Sequence, residues 1–484
     1  MQHSSPGLRR YSSGHRVVFI IPLLLIAALS FVVHGSVSLK KLTTYYTSSL
    51  RSFPDNERPP DYSELRAWES NLPQHDPDLS FPEGRSGRYV LFSSSRINLS
   101  GWNNKLNDML MNTWLAYASN RAYVFHDFTW VNSHYPWPAS IYREWAPRTP
   151  LNALLSGPSA GGPWDIGDIA PRSISEIFFD IVCPQNERRI INTRTVKSGL
   201  GEADGQVIFD RWRTILMEVT ERCVEVVAPP ADEDPFPEIF DIHYWSGPRS
   251  ISVWEEFLQS PISRLLKASP IVNAAIRENI AVFSARSVKY TVTAEAKTNK
   301  SVEHLDLFKS VLSIHVRRGD FQQACLEHAS SNSTFYNWNL LPFLPDEFHA
   351  LPNHRDNQQQ ILDHCWPTAQ AILAKVNLAR MEYEHTLPPG QRGGQLKVLY
   401  VMSNDRTDWI RGLQKIFESD GWAKVVLSRD LILSPQQRDV SVAVDMEIGR
   451  RSKVFIGNGW SSFTSNVVHQ RLADNKVPIS IRFW

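Results

Sequence analysis

Four cysteines in 484 residues are too few for a disulfide-dense small scaffold. None has the C-x-x-C or Cys/His spacing that a zinc site needs. Lys and Arg number 51 against 50 Asp and Glu, a formal charge of +1, so no global basic excess exists to hold nucleic acid. Any anion site must be local. No internal repeat or single-residue tract stands out, which removes solenoids and propellers. Charged residues at 21% and hydrophobic ones at 42% also exclude a wholly disordered, collagen-like or polytopic membrane chain.

What is present is length enough for roughly three domains, or for two large ones and a non-globular part. Trp is frequent at 16, which suits deep cores and also flat surfaces that stack on sugar rings. The one long apolar run, Val17 to Val33, is 17 uncharged residues, about 26 Å as a helix. Arg9, Arg10 and Arg16 precede it and Lys40 and Lys41 follow, a mild bias towards a cytosolic N-terminus. A cleaved signal peptide is the rival, but no small-x-small site follows. The reading is therefore a cytosolic tail over 1–16, an uncleaved transmembrane signal anchor over 17–34 and a lumenal remainder. Residues 35–85, rich in Ser, Thr, Pro and charge, read as a stem.

In an exported chain an even cysteine count reads as two disulfides, with free buried thiols as the alternative. Cys183, Cys223, Cys325 and Cys365 allow three connectivities, and the sequential one keeps one bridge in each domain. Sequons at Asn98, Asn299 and Asn332 agree with a lumenal location.

Arg88 to Phe92, a Gly-containing turn, an apolar helical spacing over 102–119 and Ala122 to Phe125 form one βαβ unit. A first α/β domain over 86–300 follows. Val311 to Val316, Val398 to Met402, Val425 to Leu427 and Val454 to Ile456 are continuous apolar runs, as in parallel strands covered on both faces. They predict a second α/β domain over 301–484. Ligands of such sheets bind beyond the carboxyl ends of the strands.

There the first run ends in His315, followed by Arg317, Arg318, Gly319 and Asp320. Two adjacent guanidinium groups suit phosphate oxygens; a structural Arg/Asp pair is the plain alternative. The last run leads into Gly457, Asn458, Gly459, Trp460, Ser461, Ser462 and Phe463. Gly-rich turn, hydroxyls and a helix N-terminus make a phosphate cradle, although an ordinary capped helix has the same ingredients. The turn lacks Walker A spacing and the G-x-G-x-x-G pattern, which disfavours ATPase and dehydrogenase readings. Ser403, Asn404 and Asp405 follow the second run, and Asp445 sits in the helix before the last. Ser100 to Asn104 read as the opposite wall of a prospective cleft, or as a turn whose Asn side chains cap their own backbone.

These stretches together resemble the protein O-fucosyltransferase family of GDP-fucose-dependent glycosyltransferases. VDMEIGRRSKVFIGNGWSSFTSN at 444–466 is similar to its C-terminal motif, SIHVRRGDF at 313–321 to its His-x-Arg motif, LYVMSND at 399–405 to its third strand and GWNNK at 101–105 to its N-terminal loop. The resemblance implies an α/β, GT-B-like arrangement of two Rossmann-like domains. It implies inverting, metal-independent transfer from GDP-fucose to Ser/Thr of a protein, or to a glycan. Accordingly the D-x-D triplets, Asp76 to Asp78 and Asp232 to Asp234, stand in Pro-rich stretches and not at a strand end. A non-catalytic lumenal sugar- or protein-binding module with the same fold is the rival from another class.

Carried over, Arg317 binds the β-phosphate, His315 orients it or touches the nucleotide, Ser461, Ser462 and Phe463 hold phosphate and base, and Asp445 contacts guanosine. Gly101 with Asn103 or Asn104 meets the diphosphate or fucose from the other domain. The chain departs from the pattern in having Ser403-Asn404 where Thr-Asp is usual, which shifts the carboxylate to Asp405. It also lacks the Glu that some members carry in the N-terminal loop as general base. Asp127 and Asp320 are the substitutes. The aromatic stretches within 126–164 are read as part of the acceptor-side wall, or as packing within the first domain. An endoplasmic-reticulum or Golgi location, single-pass type II, completes the expectation.

Overall fold

The computed structural model describes residues 58–96, 100–138, 147–285, 307–389 and 396–484. The expected anchor at 17–34 and the sequons at Asn98 and Asn299 lie outside them, and among the described residues no helix is long and apolar enough to cross a membrane. Asn332 is exposed and in the left-handed region at φ 51°.

Two five-stranded parallel sheets organise the chain. The first contains β1 (Tyr89–Phe92), β2 (Ala122–Phe125), β3 (Ile174–Ser175), β4 (Arg189–Asn192) and β5 (Cys223–Val227) in the order β3-β2-β1-β5-β4. The second contains β6 (Val311–His315), β7 (Val398–Met402), β8 (Lys424–Leu427), β9 (Val454–Gly457) and β10 (Ile481–Phe483) in the order β8-β7-β6-β9-β10. In each sheet the first strand in sequence is central, flanked on one side by the second and on the other by a later one. Register runs from Val311 opposite Val398 to His315 opposite Met402. Every residue of β6 and β7 is buried, because helices cover both faces. These are the two parallel-sheet, Rossmann-like halves that the apolar runs predict.

The helices follow from capping and spacing. In α6 (Asp408–Ser419) the Thr407 side chain accepts from Trp409 N, and Ile410, Leu413 and Phe417 line the buried face. Eight helices matter to the site: α1 (Ser63–Ser70), α2 (Trp102–Ala118), α3 (Phe321–Ser330), α4 (His354–Cys365), α5 (Ala369–His385), α6, α7 (Ser441–Arg451) and α8 (Ser462–Ala473). Both disulfides form, Cys183–Cys223 at the edge of the first sheet's core and Cys325–Cys365 between α3 and α4.

The stem reading needs correction over its described part. Residues from Pro59 belong to the same compact unit as both sheets. Leu72 and Gln74 are buried, Gln74 Nε2 donates to Gly161 O and Ser173 O at 2.8 Å each, and His75 stacks on Phe178 at 4.7 Å. Such isolated anchors among Pro and Asp carry no periodicity, so the segment looked like a spacer.

The two halves meet through polar clasps. Asn466 Nδ2 of α8 donates to Asn103 O of α2 at 2.9 Å, and Tyr336 OH donates to Asn104 Oδ1 at 3.2 Å. Asp439, before α7, accepts from Trp137 Nε1 at 2.8 Å, Thr149 Oγ1 at 2.6 Å and Tyr62 OH at 2.9 Å. A carboxylate with that many donors is held in one place.

Candidate active site

The turn after β6 presents two arginines with different fates. Arg318 is buried between the rings of Trp366 and Trp409, at 4.3 and 4.1 Å, with Nη2 donating to Pro367 O. Burial pushes its guanidinium down to about 10. It is a structural cation, buried among its own rings and carbonyl, so of the two arginines that the sequence suggested for phosphate only Arg317 is partly exposed. That side chain is half-buried, lies 5.4 Å over Phe321, and donates through Nη2 to Asp320 Oδ2 at 3.0 Å. Burial lowers its pKa, but a guanidinium stays charged.

Asn404 fixes this turn. Its Oδ1 accepts from Arg318 N at 2.9 Å, while Nδ2 donates to Arg318 O at 2.7 Å and to Asp320 Oδ1 at 2.9 Å. Gly319, at φ +64°, supplies the left-handed residue that lets the chain reverse there. Asp405 is buried and accepts from Thr407 N at 2.6 Å, ahead of α6. Ser403-Asn404-Asp405 therefore braces the Arg317 loop.

His315, at the end of β6, is buried, with Nδ1 3.1 Å from Thr464 Oγ1 and its ring 4.4 Å from that of Phe463. Burial first, and then Arg317, push its pKa down to about 3. The imidazole is neutral at physiological pH and offers hydrogen bonds without charge. Ser461 precedes α8 but makes no side-chain cap, so the first amides of that helix keep their donor capacity beside His315, which lies against Thr464 and Phe463. The capping serine expected at this position is absent in that role.

Packing within the chain itself requires the glycines of the turn. A Cβ on Gly457 would overlap the Thr464 side chain, and one on Gly459 would overlap the ring of Phe335. Asn458 Nδ2 donates to Cys365 O at 2.7 Å, tying the turn to α4. Asp445 is half-buried, accepting from Tyr400 OH at 2.6 Å and from Ser428 Oγ at 2.8 Å, and burial raises its pKa to about 6. Both oxygens are thus already bonded within the second half.

From the first half, Gly101 begins α2 without a side-chain cap, Asn103 is buried against α8, and Asn104 is half-buried. His134 completes the ring. Its Nε2 lies 3.4 Å from Asp320 Oδ2, and a Cβ at position 101 would lie 3.8 Å from its Nδ1. Gly101, His134, Asp320 and Arg317 form a continuous line from one half to the other. His134 was not singled out from the sequence, where it lies among the Trp and Tyr residues of the wall.

Asp127 is placed elsewhere. It pairs with Arg66 of α1 on the wall of a cavity of about 400 Å³ beyond the carboxyl ends of β2 and β3, lined also by Glu69, Arg96, Lys105 and Glu176. The structure does not bring Asp127 to Arg317. Among the described residues no group of three or more His, Cys, Asp or Glu could hold a metal ion.

No family model and no curated protein matches this chain. Solved structures of POFUT1 in complex with GDP and with GDP-fucose each share 15% identity over 79% of this chain and 94% of theirs, at TM-scores of 0.44 and 0.43. The NodZ alpha-1,6-fucosyltransferase soaked with GDP-fucose shares 12% identity over 78% of this chain and 91% of its own, at a TM-score of 0.34. The similarity is one of overall structure at low identity.

Proposed function

We propose that the chain is a glycosyltransferase that moves fucose from GDP-fucose to an acceptor hydroxyl with inversion and without a metal. The observation that carries this reading is the half-buried Arg317 near the neutral His315, whose ring lies against Thr464 and Phe463 in the uncapped first turn of α8. A fixed cation, a neutral donor and free helix amides converging at the carboxyl end of a parallel sheet are what a departing nucleoside diphosphate requires. The motifs of residues 313–321 and 444–466 supply the fucose and guanine part of the reading. Asp445 reaches the guanosine only through a rearrangement of its bonds with Tyr400 and Ser428. The acceptor is Ser/Thr of a protein in the first instance, with a glycan second. The reading of residues 17–34 as a signal anchor supports a catalytic part in the lumen of the endoplasmic reticulum or Golgi.

Calorimetry of the full chain with GDP, GDP-fucose, GDP-mannose and UDP, in EDTA, tests the donor. Selective binding of GDP and GDP-fucose supports the reading. Preference for uridine nucleotides, or no binding, returns the chain to the class of non-catalytic binding modules.

A further inference from the structure

The transfer proposed above needs a group to take the proton of the attacking hydroxyl, and Asp127, one of the two carboxylates considered for it, lies apart in the cavity beside α1. Asp320 is at the right place, but its oxygens are engaged by Arg317 and Asn404. A carboxylate so occupied is a weak proton acceptor. The group beside it is not: His134 is exposed, it comes from the first half, and it faces Arg317 across Asp320.

We propose that His134 is the general base of the reaction and that Asp320 is its positioning residue. The geometry rests on the donor reading above. Nε2 lies 3.4 Å from Asp320 Oδ2, a loose bond of the kind that tightens when substrate closes a site. With the proton on Nε2 directed at Asp320, Nδ1 carries the lone pair on the side of the Gly101 turn at the start of α2, 3.8 Å from where a Cβ there would stand. A histidine oriented by a carboxylate on one ring nitrogen and free on the other is the arrangement by which hydroxyl nucleophiles are activated.

The backbone holds the imidazole from its own side. His134 N donates to Val131 O at 2.9 Å, and Trp137, three residues on, is pinned by Asp439. The charged groups around it are Asp320, Arg317 behind Asp320, and Arg438, which lies over Trp137 at 4.7 Å and donates to Pro136 O at 3.1 Å. In the step, the acceptor oxygen bonds to the anomeric carbon as the bond from that carbon to the diphosphate breaks. The electron pair leaves on the diphosphate, whose charge meets Arg317, and the hydroxyl proton passes to His134 Nδ1. Being exposed, the imidazolium returns its proton to water.

The test uses the full chain and GDP-fucose alone, with water as acceptor. His134→Gln is expected to lower kcat for donor hydrolysis at least tenfold and to leave KM for GDP-fucose within twofold. Asp320→Asn should give a smaller loss of the same kind. In ¹⁵N-histidine spectra, with the resonance identified by His134→Gln, the wild-type ring should carry its proton on Nε2 and should shift on adding GDP-fucose. Unchanged hydrolysis in His134→Gln, or ring nitrogens indifferent both to GDP-fucose and to Asp320→Asn, would overturn the base role. Should the wild-type chain bind no GDP-sugar, the donor reading fails and takes this role with it. Binding with an indifferent His134 sinks the base alone.

Discussion

The carboxyl ends of the two sheets are built from similar residues and do different things with them. At the first sheet three of the cations on the cavity wall already have carboxylates: Arg66 has Asp127 and Glu69, Arg96 has Glu176 and Lys105 has Glu238. At the second, Arg317 shares an exposed carboxylate that two other groups also claim, next to a helix start with no cap. The first end has a cavity whose cations pair with several separate carboxylates, while at the second one carboxylate is shared by Arg317, Asn404 and His134. Position at the end of a strand therefore says less about chemistry than which partners each charge there already has.

Four measurements sharpen or break that contrast. Arg317→Ala is expected to cut GDP-fucose turnover by about 10²–10³-fold, the loss typical of one transition-state charge contact, with an unchanged melting curve. Normal turnover in this variant would remove Arg317 from the site. Gly459→Ala should destabilise the fold by about 2 kcal/mol through overpacking against Phe335, while the folded fraction keeps its GDP affinity. Lost affinity at full stability would show that the glycine serves the ligand.

The third concerns Asp108 of α2, buried near Lys105 of the cavity wall, where burial raises its carboxyl to about 7. A folded-state pKa above the unfolded value of about 3.9 gives a contribution fully present below pH 4 that fades as pH rises through 7. Urea unfolding should therefore show stability falling with pH over that window, by up to about 1.4 kcal/mol per unit from this group, and Asp108→Asn should make the fall shallower, leaving the share of Asp445, whose carboxyl is raised to about 6. A fall that the substitution does not change belongs to other groups. Smallest of all, Asp127→Asn should change GDP affinity by less than twofold. A larger change would join the two ends into one site.

Much of the frame is legible in the sequence, because parallel strands buried on both faces read as unbroken apolar runs and α6 carries its apolar residues on one face. Arg317 was legible too, as a cation just beyond such a run. What escaped depends on partners distant in the chain. Nothing local separates Arg318 from its neighbour, since the rings that enclose it come from Trp366 and Trp409. Asp445 looks like a free carboxylate until Tyr400 and Ser428 close on it. His134 gains its place only from Asp320, in the other half.

The packing of Gly457 against Thr464 and of Gly459 against Phe335 bears on how this turn survives over evolutionary time. Selection for folding alone retains both glycines, whether or not a nucleotide ever binds. A descendant that lost its chemistry would keep the Gly-Asn-Gly signature and be free to drift at Arg317 and His134. Across a lineage, it is the persistence of those two side chains together that would trace the activity, and the signature would trace only the scaffold.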